Sequence, residues 1–160
     1  MFSTRPLVPS DQDWLWDILH VALWDPPPAP LRPRAVLEHP AVRIYAENWG
    51  RPTDVGVVGQ LSGVDRPIGA AWMRLIANQQ GLAYVDDDTP QIGIALFPEF
   101  QHQGHGRPLM LAALAAARVH GYKQVALTVH PENPAIKVYE RCGFTKLALR
   151  STFHLMLVKL

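Results

Sequence analysis

Residues 91–121, QIGIALFPEFQHQGHGRPLMLAALAAARVHG, constrain the chain more than any other stretch. An apolar run that reads as a strand stops at Pro98. Two glycines, Gly104 and Gly106, follow one residue apart. Pro108 and a long Ala/Leu run come next, closed by Gly121. Proline fits the first turn of a helix, where its missing N–H costs nothing, and glycine closes helices. The run is therefore predicted as a helix that starts near residues 105–107, straight out of a glycine loop. The first backbone N–H groups of a helix lack carbonyl partners and carry partial positive charge. Bare backbone at Gly104 and Gly106 lets a large anion come close to them. The expected donors are those of Gln103, Gly104, His105, Gly106 and Arg107, since Pro108 has none. Alone, such a loop is equally a tight strand-to-helix turn. A P-loop is excluded by the absence of GxxxxGK[ST]. No GxGxxG with a ribose-binding acid follows, which argues against a dinucleotide fold.

The rest of the chain supplies the setting. With 160 residues, 48% of them hydrophobic, it has room for a real core and is expected to form one domain over residues 1–160. A formal charge of +1 with no basic run gives no reason to expect a nucleic-acid partner. The apolar stretches are too short to span a bilayer, and the first residues lack signal-peptide character. The lone Cys142 allows no internal disulfide and reads as a buried thiol. A soluble, cytoplasmic protein with no membrane partner is the expectation. His102 and His105 have no third ligand in view, so no metal is expected.

Periodicity predicts a helix from about Asp11 to Trp24, N-capped by Ser10, with Leu15, Ile18, Leu19, Ala22 and Leu23 at helical spacing. Trp14, Trp16 and Trp24 widen that apolar face, either as core or as an aromatic wall beside a pocket. Residues 25–34, DPPPAPLRPR, must be loop. Residues 34–50 read as helix broken at Pro40. DVGVVGQLSG, RPIGAAWMRLIAN, QIGIALF, KQVALTVH, TKLALRS and FHLMLVKL read as strands, and NPAIKVYERCGF as a short helix. The result is a mixed α/β domain around one central sheet.

The pattern [Q/R]-x-x-G-x-[G/A] in QHQGHG, after a strand ended by proline, and the later N-P-A-x-x-x-Y-E-x-x-G-F in residues 133–144 together resemble the GNAT superfamily of N-acetyltransferases. The similarity runs from about Gln91 to Leu147. It implies a GNAT-like fold, with a mostly antiparallel sheet of six or seven strands, splayed at a cofactor cleft and flanked by about four helices. It also implies transfer of an acetyl group from acetyl-CoA to a primary amine by direct attack. By that resemblance, His102, Gln103, Gly104, His105, Gly106 and Arg107 cradle the pyrophosphate of CoA, and Ile94, Ala95 and Leu96 pair with its pantetheine arm. A bulge in that strand is expected to open the cleft. Asn133 touches the cofactor or caps the helix beginning at Pro134. Tyr139 is the expected catalytic acid, protonating the departing thiolate, and the N–H of Leu96 or Phe97 is expected to meet the developing oxyanion.

The base departs from the family's pattern. Many members place Glu on the strand before the glycine loop or on the strand after it; here those places hold Gln91 and Thr128. The substitutes are Asp86, Asp87, Asp88, His130, a water chain, or an acceptor that arrives neutral. The missing Glu keeps open a second reading, a catalytically silent acyl-CoA-binding sensor or interaction module. A longer acyl chain is a third. The acceptor, a small molecule or a peptide amine, should be shaped by the N-terminal helices and the loop around residues 77–90. Arg74 and Arg43 either bind an acidic substrate or sit on the surface. The family also dimerises, and the final strand FHLMLVKL could pair across such an interface.

Overall fold

A computed structural model of the chain describes residues 1–160. Seven strands form one sheet: β1 (Phe2–Pro6), β2 (Val55–Leu61), β3 (Gly69–Arg74), β4 (Gln91–Leu96), β5 (Gln124–Val129), β6 (Thr145–Arg150) and β7 (Phe153–Lys159). Four helices pack on it: α1 (Gln12–Ala22), the single turn α2 (Pro40–Arg43), α3 (Gly106–His120) and α4 (Ile136–Arg141). The strand order is β1-β2-β3-β4-β5-β7-β6, antiparallel except at β4–β5.

The two faces of the sheet separate by strand alternation. Val57, Ala71 and Met73 point to one side, where Leu109, Met110, Ala113, Leu114 and Ala117 of α3 cover them. Val58, Ala70 and Trp72 point to the other and meet Leu15, Ile18 and Leu19 of α1. Every residue of β3 is buried, because both faces are covered.

The parallel pair β4–β5 positions the cleft. It holds one register pair, Gln91 with Ala126, and Ala126 N–H donates to Pro90 O at 3.1 Å. Beyond Gln91 the strands part. The expected bulge is absent: β3 and β4 stay in unbroken register from Arg74–Gln91 to Gly69–Leu96. The register shift in this sheet lies between β6 and β7. The opening forms because β5 leaves β4 after one pair, and the segment from Asn133 to Tyr139 faces Ile94, Ala95 and Leu96 across the gap.

Several expectations are corrected. The N-terminal strand β1 was not predicted, since FSTRP is short, weakly alternating and ends in proline. Ser10 does not cap α1. Residues Pro9–Asp11 form a 3-10 turn, and Asp11 instead accepts bonds from Arg5, Val8 N–H and Trp14 Nε1. Pro134 precedes α4, which starts at Ile136. Strand β7 is paired on both sides, by β5 and β6, so it has no free edge with which to pair a second copy. No helix is long and apolar enough to cross a membrane.

Candidate active site

The strand β4 ends where Phe97 N–H donates to Ile68 O at 2.9 Å. Since alternate residues face alternate neighbours, the N–H groups of Ile94 and Leu96 point to the parted side. Phe97 is thereby removed as an oxyanion donor, and Leu96 remains. Gln101 turns back to donate its Nε2 to Leu96 O at 2.8 Å, which fixes the loop's exit.

The loop then takes two left-handed residues, His102 (φ +61°) and Gly104 (φ +85°), before α3 begins with His105 as its N-cap. This alternation turns successive N–H groups to one concave side, a nest. None of the backbone N–H groups of residues 102–107 donates to any group of the chain; the first bond of the turn is Leu109 N–H to His105 O. A Cβ at Gly106 would meet nothing closer than Val138 Cγ1 at 3.8 Å. These free donors face a groove of about 480 Å³ lined by Ile94, Ala95, Leu96, His102, Gly104, His105, Gly106, Arg107, Asn133 and Tyr139. Of the expected loop residues only Gln103 does not line the groove; its Nε2 donates to Glu99 O at 3.0 Å. Arg141, not anticipated, adds a second guanidinium beside Arg107, and no carboxylate lines the groove. Arg141 lies two residues after Tyr139 on the same short helix, so its spacing held the signal.

A second cavity of about 870 Å³ opens on the other side of Tyr139. Ala22, Trp24, Ile94, Asn133 and Tyr139 line both spaces, so the two communicate there. The Tyr139 ring packs 6.1 Å from Phe144, and its hydroxyl bonds to no group of the chain. Burial among apolar groups, with a smaller contribution from Cys142, pushes its pKa up to about 12. The phenol therefore stays protonated, fit to donate a proton rather than to take one. Asn133 accepts Ala135 N–H at 2.9 Å, so it caps the turn while also lining both cavities. Burial also raises the Cys142 thiol, as expected of a core cysteine.

The walls of this second cavity come from the predicted regions: α1 with Leu19, Leu23 and Trp24, the residues around α2, and residues 80–83 of the long loop. Of the three tryptophans near α1, only Trp24 reaches it; Trp14 and Trp16 pack against the core under α1. Gln91 is a strut: its Nε2 donates to Gln80 O at 2.9 Å and its Oε1 accepts Tyr45 O–H at 3.3 Å. The Tyr45 hydroxyl oxygen in turn accepts Leu82 N–H at 3.1 Å, which ties the loop to the segment after α2. Asp86, Asp87 and Asp88 line neither cavity. Asp86 holds its own turn, accepting Thr89 O–H and Asp88 N–H, and these bonds, Thr89 foremost, lower its pKa. His130 does line the cavity, between Trp24 and Phe153.

Neither arginine singled out as a possible substrate ligand lines either cavity. Arg74 is fully buried, paired with Asp54 at 2.7 Å, donating to Ile44 O and Glu47 O, and stacked 5.3 Å from the Trp49 ring. Arg43 lies over Trp16 and pairs with Glu47.

The model of the "Acetyltransferase (GNAT) family" matches residues 16–144, and the chain belongs to that family. A mycothiol acetyltransferase of Actinosynnema mirum is 31% identical over 102 residues, which are 63% of this chain and 31% of that protein. The chain thus spans about a third of the length of the curated relatives it matches. Among solved structures, the PaiA N-acetyltransferase of Thermoplasma acidophilum in complex with coenzyme A superposes with a TM-score of 0.69 at 15% identity, covering 100% of this chain and 99% of that one. The GNAT domain of S. lividans PAT gives 0.70 at 20% identity, covering 98% and 89%. These structural likenesses show a shared fold.

Proposed function

From that family membership, we propose that residues 1–160 act as one acetyltransferase domain that moves an acetyl group from acetyl-CoA to a primary amine by direct attack. The carrying observation is the run of unpartnered N–H groups at residues 102–107, in a groove also lined by the Arg107 and Arg141 side chains and by Tyr139, whose hydroxyl has no partner in the chain. A polyanionic pyrophosphate fits that donor set. The relative solved with coenzyme A supports the same choice of ligand.

Acetyl-CoA supplies an activated acetyl thioester. The groove residues hold its pyrophosphate through backbone donors and Arg107, and the free edge of β4 at Ile94 and Leu96 receives its extended arm as an added strand. The acceptor occupies the larger cavity, so its nitrogen approaches at Tyr139. The nitrogen lone pair forms the C–N bond, the C–S bond breaks, and its electron pair goes to sulfur. Tyr139 gives its proton to sulfur and recovers one from the new ammonium, so one proton passes from nitrogen to sulfur in all. Leu96 N–H stabilises the charge that gathers on the carbonyl oxygen.

The test is thiol release from acetyl-CoA in the presence and absence of a panel of amines. Amine-dependent release with formation of the amide supports the reading. Acetyl-CoA binding with no amine turned over would instead favour the silent acyl-CoA-binding module, to which the Gln91 and Thr128 positions point.

A further inference from the structure

The larger cavity shares one absence with the groove. No aspartate or glutamate lines it. Its titratable or charged lining groups are Arg32, His39, Tyr45, His130 and Tyr139. Arg32 is held by Asp25 through two bonds of 2.8 and 2.9 Å, so both charges there are spent on each other. The Arg32 bond, above all, lowers the Asp25 pKa, and the nearby His130 adds slightly to this. His102 and His105 line the groove and not this cavity.

The two imidazoles are the only lining groups of a type that accepts protons readily, and each has its acceptor nitrogen in use. His130 Nδ1 accepts Glu132 N–H at 3.0 Å, and His39 Nδ1 accepts Ala41 N–H at 3.1 Å. In a neutral imidazole only one nitrogen accepts, so Nε2 of each carries the hydrogen and neither offers a lone pair to an incoming ammonium. The rest of the wall is mainly apolar and aromatic, with Leu19, Leu23, Trp24, Ile44, Leu82 and Phe153, and its other polar side chains, Gln80, Gln91, Thr128 and Asn133, are uncharged. A cationic acceptor finds no counter-ion there, and a protonated amine finds no base.

We infer that the acceptor is a weakly basic amine on an apolar body, such as the α-amine of an apolar aminoacyl amide or an arylamine, and not a polyamine or lysine-like alkylamine. The inference rests on the acetyl-transfer reading above. Such an amine sheds its proton in solution and enters uncharged; the bonds made and broken are then those already described, with Tyr139 carrying the one transferred proton. At pH 7 an α-amine of pKa about 8 is roughly a tenth uncharged, and an alkylamine of pKa about 10.4 roughly 4 parts in 10⁴. With no base on the protein, that ratio passes directly into the rate.

The experiment is kcat/KM against pH, with acetyl-CoA saturating, for phenylalanine amide, 4-methylaniline, 3-phenylpropylamine and spermidine. The expected rising limb breaks at each acceptor's own pKa: near 8 for the amide, near 10 for the alkylamine, and no limb for the arylamine. At neutral pH the favoured arm should exceed spermidine by about 10²-fold or more, and which of the first two leads identifies the source of the amine. A break at one common pH for all acceptors reveals a proton acceptor on the enzyme and overturns the inference. So does spermidine turnover within about tenfold of the best apolar amine. His130→Asn, whose Oδ1 can still take the Glu132 N–H, should leave the breaks in place; loss of the limb would assign His130 as base and overturn the inference. If no amine at all is acetylated, the N-acetyltransfer reading falls as well. Turnover of amines with the wrong pH pattern leaves that reading standing.

Discussion

Replacing Gly106 by aspartate separates a built anion site from a tight turn. Gly106 opens α3, has no positive φ, and a Cβ there would lie 3.8 Å from Val138 Cγ1, an ordinary contact distance. The fold accommodates the side chain. A carboxylate in the first helical turn is mildly stabilising, by about 0.3–1 kcal/mol, and removing a helical glycine adds to this. The unliganded variant should therefore melt at or slightly above the wild type. The new carboxylate would stand among the N–H donors where a pyrophosphate must sit. At 4 Å and an effective dielectric of 20, two like charges repel by about 4 kcal/mol, and screening at an open groove reduces that to about 2–3 kcal/mol. Taking the loss as about 100-fold in Kd, acetyl-CoA at 100 times the wild-type Kd stabilises wild type by about 2.7 kcal/mol and the variant by about 0.4. For a chain of this length those are rises of about 5–10 °C and about 1–2 °C in Tm. Thermal unfolding with and without acetyl-CoA reads both, and Gly106→Asn, equal in size but uncharged, should keep more of the rise than Gly106→Asp. A variant that rises as far as wild type would refute an anion at these N–H groups, and the role given to Tyr139 would lose its support.

Tyr139→Phe should lower kcat by about 10²-fold or more with little change in acetyl-CoA binding, and turnover equal to wild type would remove the acid role. Because folding raises the Tyr139 pKa to about 12, its contribution to stability is complete below the unfolded value of about 10 and is lost as pH rises towards 12. Phenolate absorbance during an alkaline titration should accordingly show a late component that Tyr139→Phe removes. Arg74→Ala strands the buried Asp54 carboxylate and should cost about 3–5 kcal/mol, measurable as a lower denaturation midpoint. An Arg74→Ala midpoint near that of wild type would mean that the pair is not buried in solution.

The sequence determined the parts of the site whose cause is local. Gly104, Pro108 and the Ala/Leu run state where α3 begins, and a helix start implies unpartnered donors whatever else the chain does. The spacing from Asn133 to Gly143 brought Tyr139 into the family's pattern. Other features depended on distant partners. The splay at β4 needs β5 to part from it after Gln91, and no residue in either strand signals where a parallel pair ends. Whether Gln91 faces substrate or props a loop depends on Gln80 and Tyr45, which approach it only in the folded chain. Arg74 reads as a ligand for an acidic substrate or a surface cation until Asp54 and two carbonyls enclose it. The character of the acceptor cavity is the clearest case. The sequence offers three aspartates and a histidine as bases, but only packing turns Asp86, Asp87 and Asp88 outward and occupies the acceptor nitrogen of His130. Local rules fix backbone geometry, because φ, hydrogen bonding and side-chain volume act within a few residues. Which polar atoms remain free is decided by every segment that packs around them.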